Sequence, residues 1–134
     1  MTETSTAESL NQLTSVIVQA AVRVHRALGP GLLESAYLSC LCFELSTSGV
    51  AIERQKSLPL LYRDVKIDCA YRADLIVNSE VLVEVKALEF IAPIHSQQLY
   101  TYLGVADCRV GLILNFGART MKEGIKRVVN DFPE

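Results

Sequence analysis

Val81-Leu82-Val83-Glu84-Val85-Lys86-Ala87 reads as one β-strand, with Val81, Val83, Val85 and Ala87 on one face and Leu82, Glu84 and Lys86 on the other. Glu84 and Lys86 therefore share a face, about 6.6–6.8 Å apart along the strand. Just upstream, the same alternation groups Arg72, Asp74 and Ile76, and Asn78-Ser79-Glu80 supplies a turn. If that turn takes three residues, Val77 pairs with Val81. Counting back then sets Asp74 opposite Glu84, with Cβ atoms about 4.5–5.5 Å apart. Two carboxylates opposed in an apolar sheet repel each other, so something positive should sit between them. A hard divalent cation, Mg²⁺ or Mn²⁺, suits two carboxylates plus a backbone carbonyl, here that of Val85, with Lys86 facing the water that completes the set. The plainer reading leaves Lys86 as a neutralising partner of both acids, or the charges solvated on a surface hairpin.

Outward from this pair the periodicities change. Leu10, Leu13, Ile17, Ala21, Val24 and Leu28 form the stripe of an amphipathic helix over residues 7–28, which Gly29-Pro30-Gly31 interrupts. A second helix starts near Leu32, carries Tyr37, Leu38, Leu41 and Leu45 on one side, and ends before Gly49. Short β-type runs follow over Val50 to Gln55, Leu58 to Tyr62, Lys66 to Tyr71 and Asp74 to Val77, with a turn at Arg63-Asp64. Pro93 opens a third helix that Gly104 should close. The apolar run Cys108 to Asn115 fits a strand buried on both faces, and Thr120 to Val129 a last helix. The order predicts one α/β domain over residues 7–134, a mixed central sheet flanked by helices, after a disordered N-terminus over residues 1–6.

The chain has 134 residues, half of them hydrophobic, which suffices for one core and not for two. A formal charge of -2 excludes a global basic field, so any contact with nucleic acid must be local. No apolar run approaches membrane-spanning length and the polar, acidic start has no signal-peptide pattern, so a cytoplasmic protein without a membrane partner is expected. Cys40, Cys42, Cys69 and Cys108 lack zinc-type spacing and read as reduced core thiols, with an iron–sulfur cluster the weaker alternative.

Several motifs then recur in order: Gly31-Leu32-Leu33-Glu34-Ser35-Ala36-Tyr37 after His25-Arg26-Ala27-Leu28-Gly29-Pro30, then Glu53-Arg54-Gln55, Glu84-Val85-Lys86-Ala87 and Asn115-Phe116-Gly117. Together, from about Val18 to Val129, they resemble the GxxExxY protein family, which is assigned to the PD-(D/E)XK nuclease superfamily. The resemblance implies a restriction-endonuclease-like αβββαβ core and a site at Glu34, Asp74, Glu84 and Lys86, with Ala73 where a proline usually precedes the aspartate. Gln98-Leu99-Tyr100-Thr101-Tyr102 is similar to the Q-x-x-x-Y signature of RecB-like exonucleases; Gln98 and Tyr102 share a helix face.

Glu34 can be read as an acid in the first helical turn near N3, or as a metal contact, direct or through water, since it opens an otherwise apolar stripe. His25 reads as a cap of helix carbonyls, and His95 as a phosphate contact or an exposed residue. Arg54 joins Arg23, Arg26, Lys56, Lys122, Lys126 and Arg127 as candidates for a basic rim. The function expected is Mg²⁺- or Mn²⁺-dependent hydrolysis of phosphodiester bonds in nucleic acid, most naturally DNA. Asp74, Glu84, Val85 and Glu34 would serve the metal, Lys86 the water, Gln98 the nucleophile or a phosphate oxygen, and Tyr102 a neighbouring phosphate. The alternative is a catalytically silent binding or dimerisation module of the same fold. A domain this small leaves room for a homodimer.

Overall fold

A computed structural model describes residues 5–133, apart from the side chains of Cys69 and Ala70. The apolar stripe winds into α1 (Ala7–Leu28), burying Leu10, Leu13, Ile17, Ala21 and Val24. Thr6 caps it reciprocally: the Ser9 N–H donates to Thr6 Oγ1 and the Thr6 N–H to Ser9 Oγ, both at 3.0 Å. Ser5 Oγ donates to Glu80 at 2.6 Å, so ordered contacts begin before the helix, while the expectation for residues 1–4 lies outside the described residues.

Gly29 ends α1 at a φ of 67°, and Gly31 has a φ of 113°. The Tyr37 hydroxyl pins the loop between them, donating to the Gly29 carbonyl at 2.6 Å and accepting the Leu32 N–H at 3.0 Å. Held this way, the loop stays extended through Leu33, and α2 (Glu34–Ser46) starts two residues later than its sequence suggests. Glu34 is thus the first helical residue and not the third, and the N-cap residue, Leu33, makes no side-chain capping bond.

The β-type runs merge pairwise into two long strands, β1 (Ile52–Tyr62) and β2 (Val65–Val77), joined through Arg63-Asp64. The expected breaks at their polar stretches are absent because ladder hydrogen bonds are made by the backbone, whatever the side chains. β3 (Val81–Lys86) follows, then α3 (Pro93–Ala106), which runs through Gly104 and ends at Asp107 in the left-handed conformation. β4 (Val110–Asn115) is wholly buried.

The expected last helix is replaced by one turn, α4 (Met121–Gly124), and an edge strand, β5 (Ile125–Val129). At Gly124 a Cβ would lie 2.2 Å from the Asn115 carbonyl, so the chain turns tightly there, and the β-branched Ile125, Val128 and Val129 suit a strand beside β4.

The sheet order is β1-β2-β3-β4-β5, antiparallel except for the β3–β4 pair. That parallel pair needs a crossover, and α3 provides it. One core joins α1 and α2 to Leu75, Val77, Val83, Val85, Leu112 and Leu114; the other joins Leu99 and Leu103 of α3 to Ala73, Ile76, Leu82 and Ile113.

Candidate functional site

The β2–β3 register is Val77 with Val81, Ile76 with Leu82 and Leu75 with Val83, the pairing a three-residue turn dictates. One step further the ladder changes character. The Val85 N–H donates at 2.8 Å to Oδ2 of the Asp74 side chain. Strand alternation also breaks here: Ala73 packs with Ile76 in the α3-side core, whereas Leu75, between them, packs on the opposite face. The expected grouping of Arg72, Asp74 and Ile76 on one face therefore does not hold, and Arg72 is exposed. On β1 the register passes over Gln55, the residue facing Asp74, which has a φ of 51°. A local irregularity of this kind re-aims one side chain, and here it turns the Asp74 carboxylate toward the β3 backbone.

Glu84 and Lys86 keep the alternation read from their strand and face α3 with Leu82. They line a cleft of about 20 Å³ together with His95, Gln98 and Tyr102, over Leu99 and Ile113. That is room for about one water-sized body. Gln98 and Tyr102 reach it as an i,i+4 pair on the α3 face turned to the sheet. His95 Nδ1 accepts the Ala92 N–H at 3.0 Å, which leaves the proton of the neutral ring on Nε2. Tyr102 stacks on Tyr71 with ring centroids 3.5 Å apart, and the buried Tyr71 hydroxyl has no hydrogen-bond partner among the described residues.

Electrostatically the site is strained. Burial pushes the Glu84 carboxyl up from an ordinary 4.5 to about 7, and the nearby charge of Glu34 adds to the rise; Lys86 and the Asp74 backbone oppose it. Its Oε1 is buried with no hydrogen-bond partner among the described residues. Burial raises Asp74 as well, against the Val85 N–H and Lys86.

A carboxyl that titrates higher in the folded than in the unfolded chain binds a proton more tightly when folded. Metal-free protein should therefore lose stability as pH rises from 4.5 to about 7, by up to about 3 kcal/mol from Glu84. Urea melts at pH 5 and pH 8 should show that loss in the wild type and little of it in Glu84→Gln. Equal losses in both would remove Glu84 as the strained group.

The remaining expected residues lie elsewhere. Glu34 is exposed at the start of α2, close enough for Glu84 to sense its charge but not clustered with the pair: among the described residues no three His, Cys, Asp or Glu side chains group closely enough to hold a metal. Arg54 donates to Ser39 of α2 at 2.8 Å and does not line the cleft. His25 is buried and does not cap α1 with its ring; Nε2 lies 2.8 Å from the Ala118 carbonyl and ties the helix to the loop after β4. Cys42 and Cys108 are buried and, among the described residues, form no disulfide, with Cys108 pushed up to about 11 by burial; Cys40 is half-buried, and the Cys69 side chain lies outside the described residues.

Two residues do more than their sequence context indicates. Tyr71 belongs to a strand run that carries no hint of its stacking on Tyr102. Asn115 stands out in the sequence only within a motif, yet its amide clasps the segment after Lys86: the Leu88 N–H donates to Oδ1 at 2.8 Å, the Gly117 N–H to the same oxygen at 3.1 Å, and Nδ2 donates to the Leu88 carbonyl at 3.0 Å. An Asn carries an acceptor and a donor on separate atoms, and its place at the end of an otherwise apolar run is the available signal.

The donor set fits a small hard cation held by two carboxylates: Glu84 Oε1 is unsatisfied, Asp74 keeps one oxygen beyond its bond to Val85, and neither acid ionises readily alone. Comparison with known families bears on the chain as a whole. The model of the PD-(D/E)XK nuclease superfamily matches residues 11–128, nearly the whole chain. No curated protein and no solved structure gives a significant match.

Proposed function

The chain belongs to the PD-(D/E)XK nuclease superfamily, and from that premise we propose that it is a Mg²⁺- or Mn²⁺-dependent nuclease that hydrolyses phosphodiester bonds in nucleic acid, with DNA the first substrate to test. The observation that carries the reading is the buried, unpartnered Oε1 of Glu84, one strand from the Asp74 carboxylate and on one face with Lys86. Within the superfamily, the GxxExxY motifs quoted above point to that branch.

Asp74, Glu84 and the Val85 carbonyl are the proposed metal donors, with Glu34 acting through water from the start of α2. A bound cation would neutralise the opposed acids, lower the pKa of water and stabilise charge on the phosphorus oxygens. The Lys86 ammonium, across the cleft from Gln98, orients that water and handles its proton. Gln98, with both donor and acceptor, positions the nucleophile or a phosphate oxygen. His95, which lines the same cleft and holds the Ala92 N–H on Nδ1, suits a phosphate oxygen. Tyr102, held by its stack on Tyr71, addresses a neighbouring phosphate. Arg54, tied to Ser39, has to leave that bond to join a phosphate-binding rim.

A second reading keeps the fold as a catalytically silent module, and the small cleft favours it. One experiment separates the two. Titration of Mg²⁺ and Mn²⁺ by calorimetry and thermal melting should show saturable binding and a rise in Tm, because only the folded arrangement binds; at a hundredfold excess over Kd the gain is about 2.7 kcal/mol. A panel of single-stranded, duplex and branched DNA and of RNA should then be cut only with metal present. Metal binding without cutting anywhere on the panel would favour the silent module. An unchanged Tm across millimolar metal would remove both metal site and mechanism.

A further inference from the structure

On the side of the sheet away from the cleft, α1 and the chain that follows β4 enclose a second cavity, of about 390 Å³. That volume is in the range of small-molecule sites. Val22 and His25 of α1 and Met121 of α4 line it, and both His25 and Met121 are buried. The two walls are fixed to each other. His25 Nε2 lies 2.8 Å from the Ala118 carbonyl, and the His25 ring stacks on Phe116 with centroids 6.4 Å apart. Three cations surround the space: Arg26 reaches it from α1, and Arg119 and Lys122 from the opposite wall. Among the described residues no acidic side chain lines it, and neither Arg26 nor Lys122 forms a salt bridge. Arg119 gives Nη2 to Glu123 at 2.8 Å, which leaves its other N–H groups to donate. Thr120 Oγ1 accepts the Glu123 N–H at 3.3 Å and keeps its own proton to donate. The chain as a whole carries a formal charge of -2, so this positive excess is local. A cleft lined by one sign of charge over low-dielectric walls focuses the field and concentrates counter-ions.

We propose that this cavity binds a phosphate monoester. A carboxylate brings a single charge and two oxygens, too few for three cations and a hydroxyl. A phosphate monoester carries nearly two charges and three strong acceptor oxygens. Its oxygens also match the fork of a guanidinium, of which the cavity holds two. Val22 and Met121 leave an apolar surface beside the charges for whatever the phosphate is attached to. The group can arrive on a small ligand such as a nucleotide, or as the terminal phosphate of a nucleic-acid strand. Glu123 competes with it for Arg119, so the acid sets how tightly the cavity holds its ligand. None of these residues lines the Glu84 cleft, and the inference stands whether or not that cleft is catalytic.

Calorimetric titration of the full chain, without divalent metal and at low salt, tests this with inorganic phosphate, a nucleoside monophosphate, and one oligonucleotide with and without a terminal phosphate. Binding should saturate at one site and weaken as salt rises. Arg26→Gln, Arg119→Gln and Lys122→Gln should each weaken it about fivefold or more. Arg63→Gln removes the same charge from the β1–β2 hairpin and should change nothing. Glu123→Gln releases Arg119 and should tighten binding, which a merely structural role for these residues would not produce. All of these positions are exposed, so the variants should fold, and circular dichroism melts check that they do. Binding of inorganic phosphate and the monophosphate assigns the cavity to a small ligand. Binding of the phosphorylated strand alone, lost in the same variants, assigns it to a strand end; either result supports the proposal. No binding of any probe at millimolar concentration would overturn it, as would equal weakening by Arg63→Gln. Acetate competing as well as phosphate, or a strand bound equally with and without its terminal phosphate, would overturn the assignment to a phosphate monoester.

Discussion

Asp74→Asn should fold like the wild type but lose both metal-induced stabilisation and phosphodiester cleavage, whereas Lys86→Ala should keep the first and lose the second. The choice of asparagine at position 74 follows from the Val85 N–H, which donates to Asp74 Oδ2 at 2.8 Å. Alanine would strand that donor inside the sheet at a cost of about 1–3 kcal/mol, mixing misfolding with lost chemistry. The asparagine carbonyl can still accept the bond, so only the charge disappears. An octahedral site held by two carboxylates has no charge to spare, so metal binding should collapse with it.

Lys86 contributes no oxygen ligand. Its removal should lower the rate by about 10²–10⁴, the usual worth of a positioned proton-transfer group. Lys86 also holds the Glu84 carboxyl down, so Lys86→Ala lets that group titrate still higher. The comparison therefore belongs at pH 8, where Glu84 is ionised in wild type and metal competes least with protons. Cleavage that survives Asp74→Asn undiminished would trace to a contaminant. Metal binding lost equally in both variants would make Lys86 a structural counter-charge.

The parts of this fold legible in the sequence were those set by period and punctuation. The α1 stripe, the glycine break after it, the three-residue turn at Asn78-Ser79-Glu80 and the apolar β4 run each follow from local spacing, and each stands where that spacing puts it. What local pattern could not carry is long-range. The last strand depends on the close approach of Gly124 to the Asn115 carbonyl, a contact between separate elements. The start of α2 depends on a hydroxyl reaching back from Tyr37 to Gly29 and Leu32. That clamp also gives one physical reason for the spacing of Gly31, Glu34 and Tyr37: the tyrosine fixes the loop that sets where the glutamate begins its helix.

In the site, alternation placed Glu84 and Lys86, because β3 is regular. It misplaced Arg72 relative to Asp74, because β2 is irregular at the residue whose carboxylate is turned toward β3. Glu34 illustrates the same limit. Its apolar neighbours at three- and four-residue steps suggested burial, but at the first helical position it projects from the helix end into solvent.

Asn115 offers the largest expected effect on stability. Its side chain makes three hydrogen bonds to backbone groups of Leu88 and Gly117 at 1% exposure, and the Phe116 N–H beside it donates to the Lys86 carbonyl at 2.8 Å. The chain can pass this closely because residue 117 is glycine: a Cβ there would lie 2.2 Å from the Leu88 carbonyl oxygen. Asn115→Leu keeps most of the volume but leaves two N–H groups and one carbonyl without partners. Such losses run to about 1–3 kcal/mol each and overlap, so a total of about 3–5 kcal/mol is expected in urea melts.

Asn115→Asp sharpens the test. The acid can still accept both N–H groups, but when ionised it faces the Leu88 carbonyl where Nδ2 had donated. When protonated, its hydroxyl can donate to that carbonyl in place of the amide. The folded chain therefore prefers the proton, and the aspartate should titrate higher folded than unfolded. Its stability should be greatest at acid pH and fall as pH rises through neutrality, relative to wild type under the same conditions. A deficit that does not change with pH would mean that the clasp is not made through the amide nitrogen. Because the segment it fastens leaves the strand directly after Lys86, folded Asn115 variants should also lose cleavage in proportion to the freedom that segment gains.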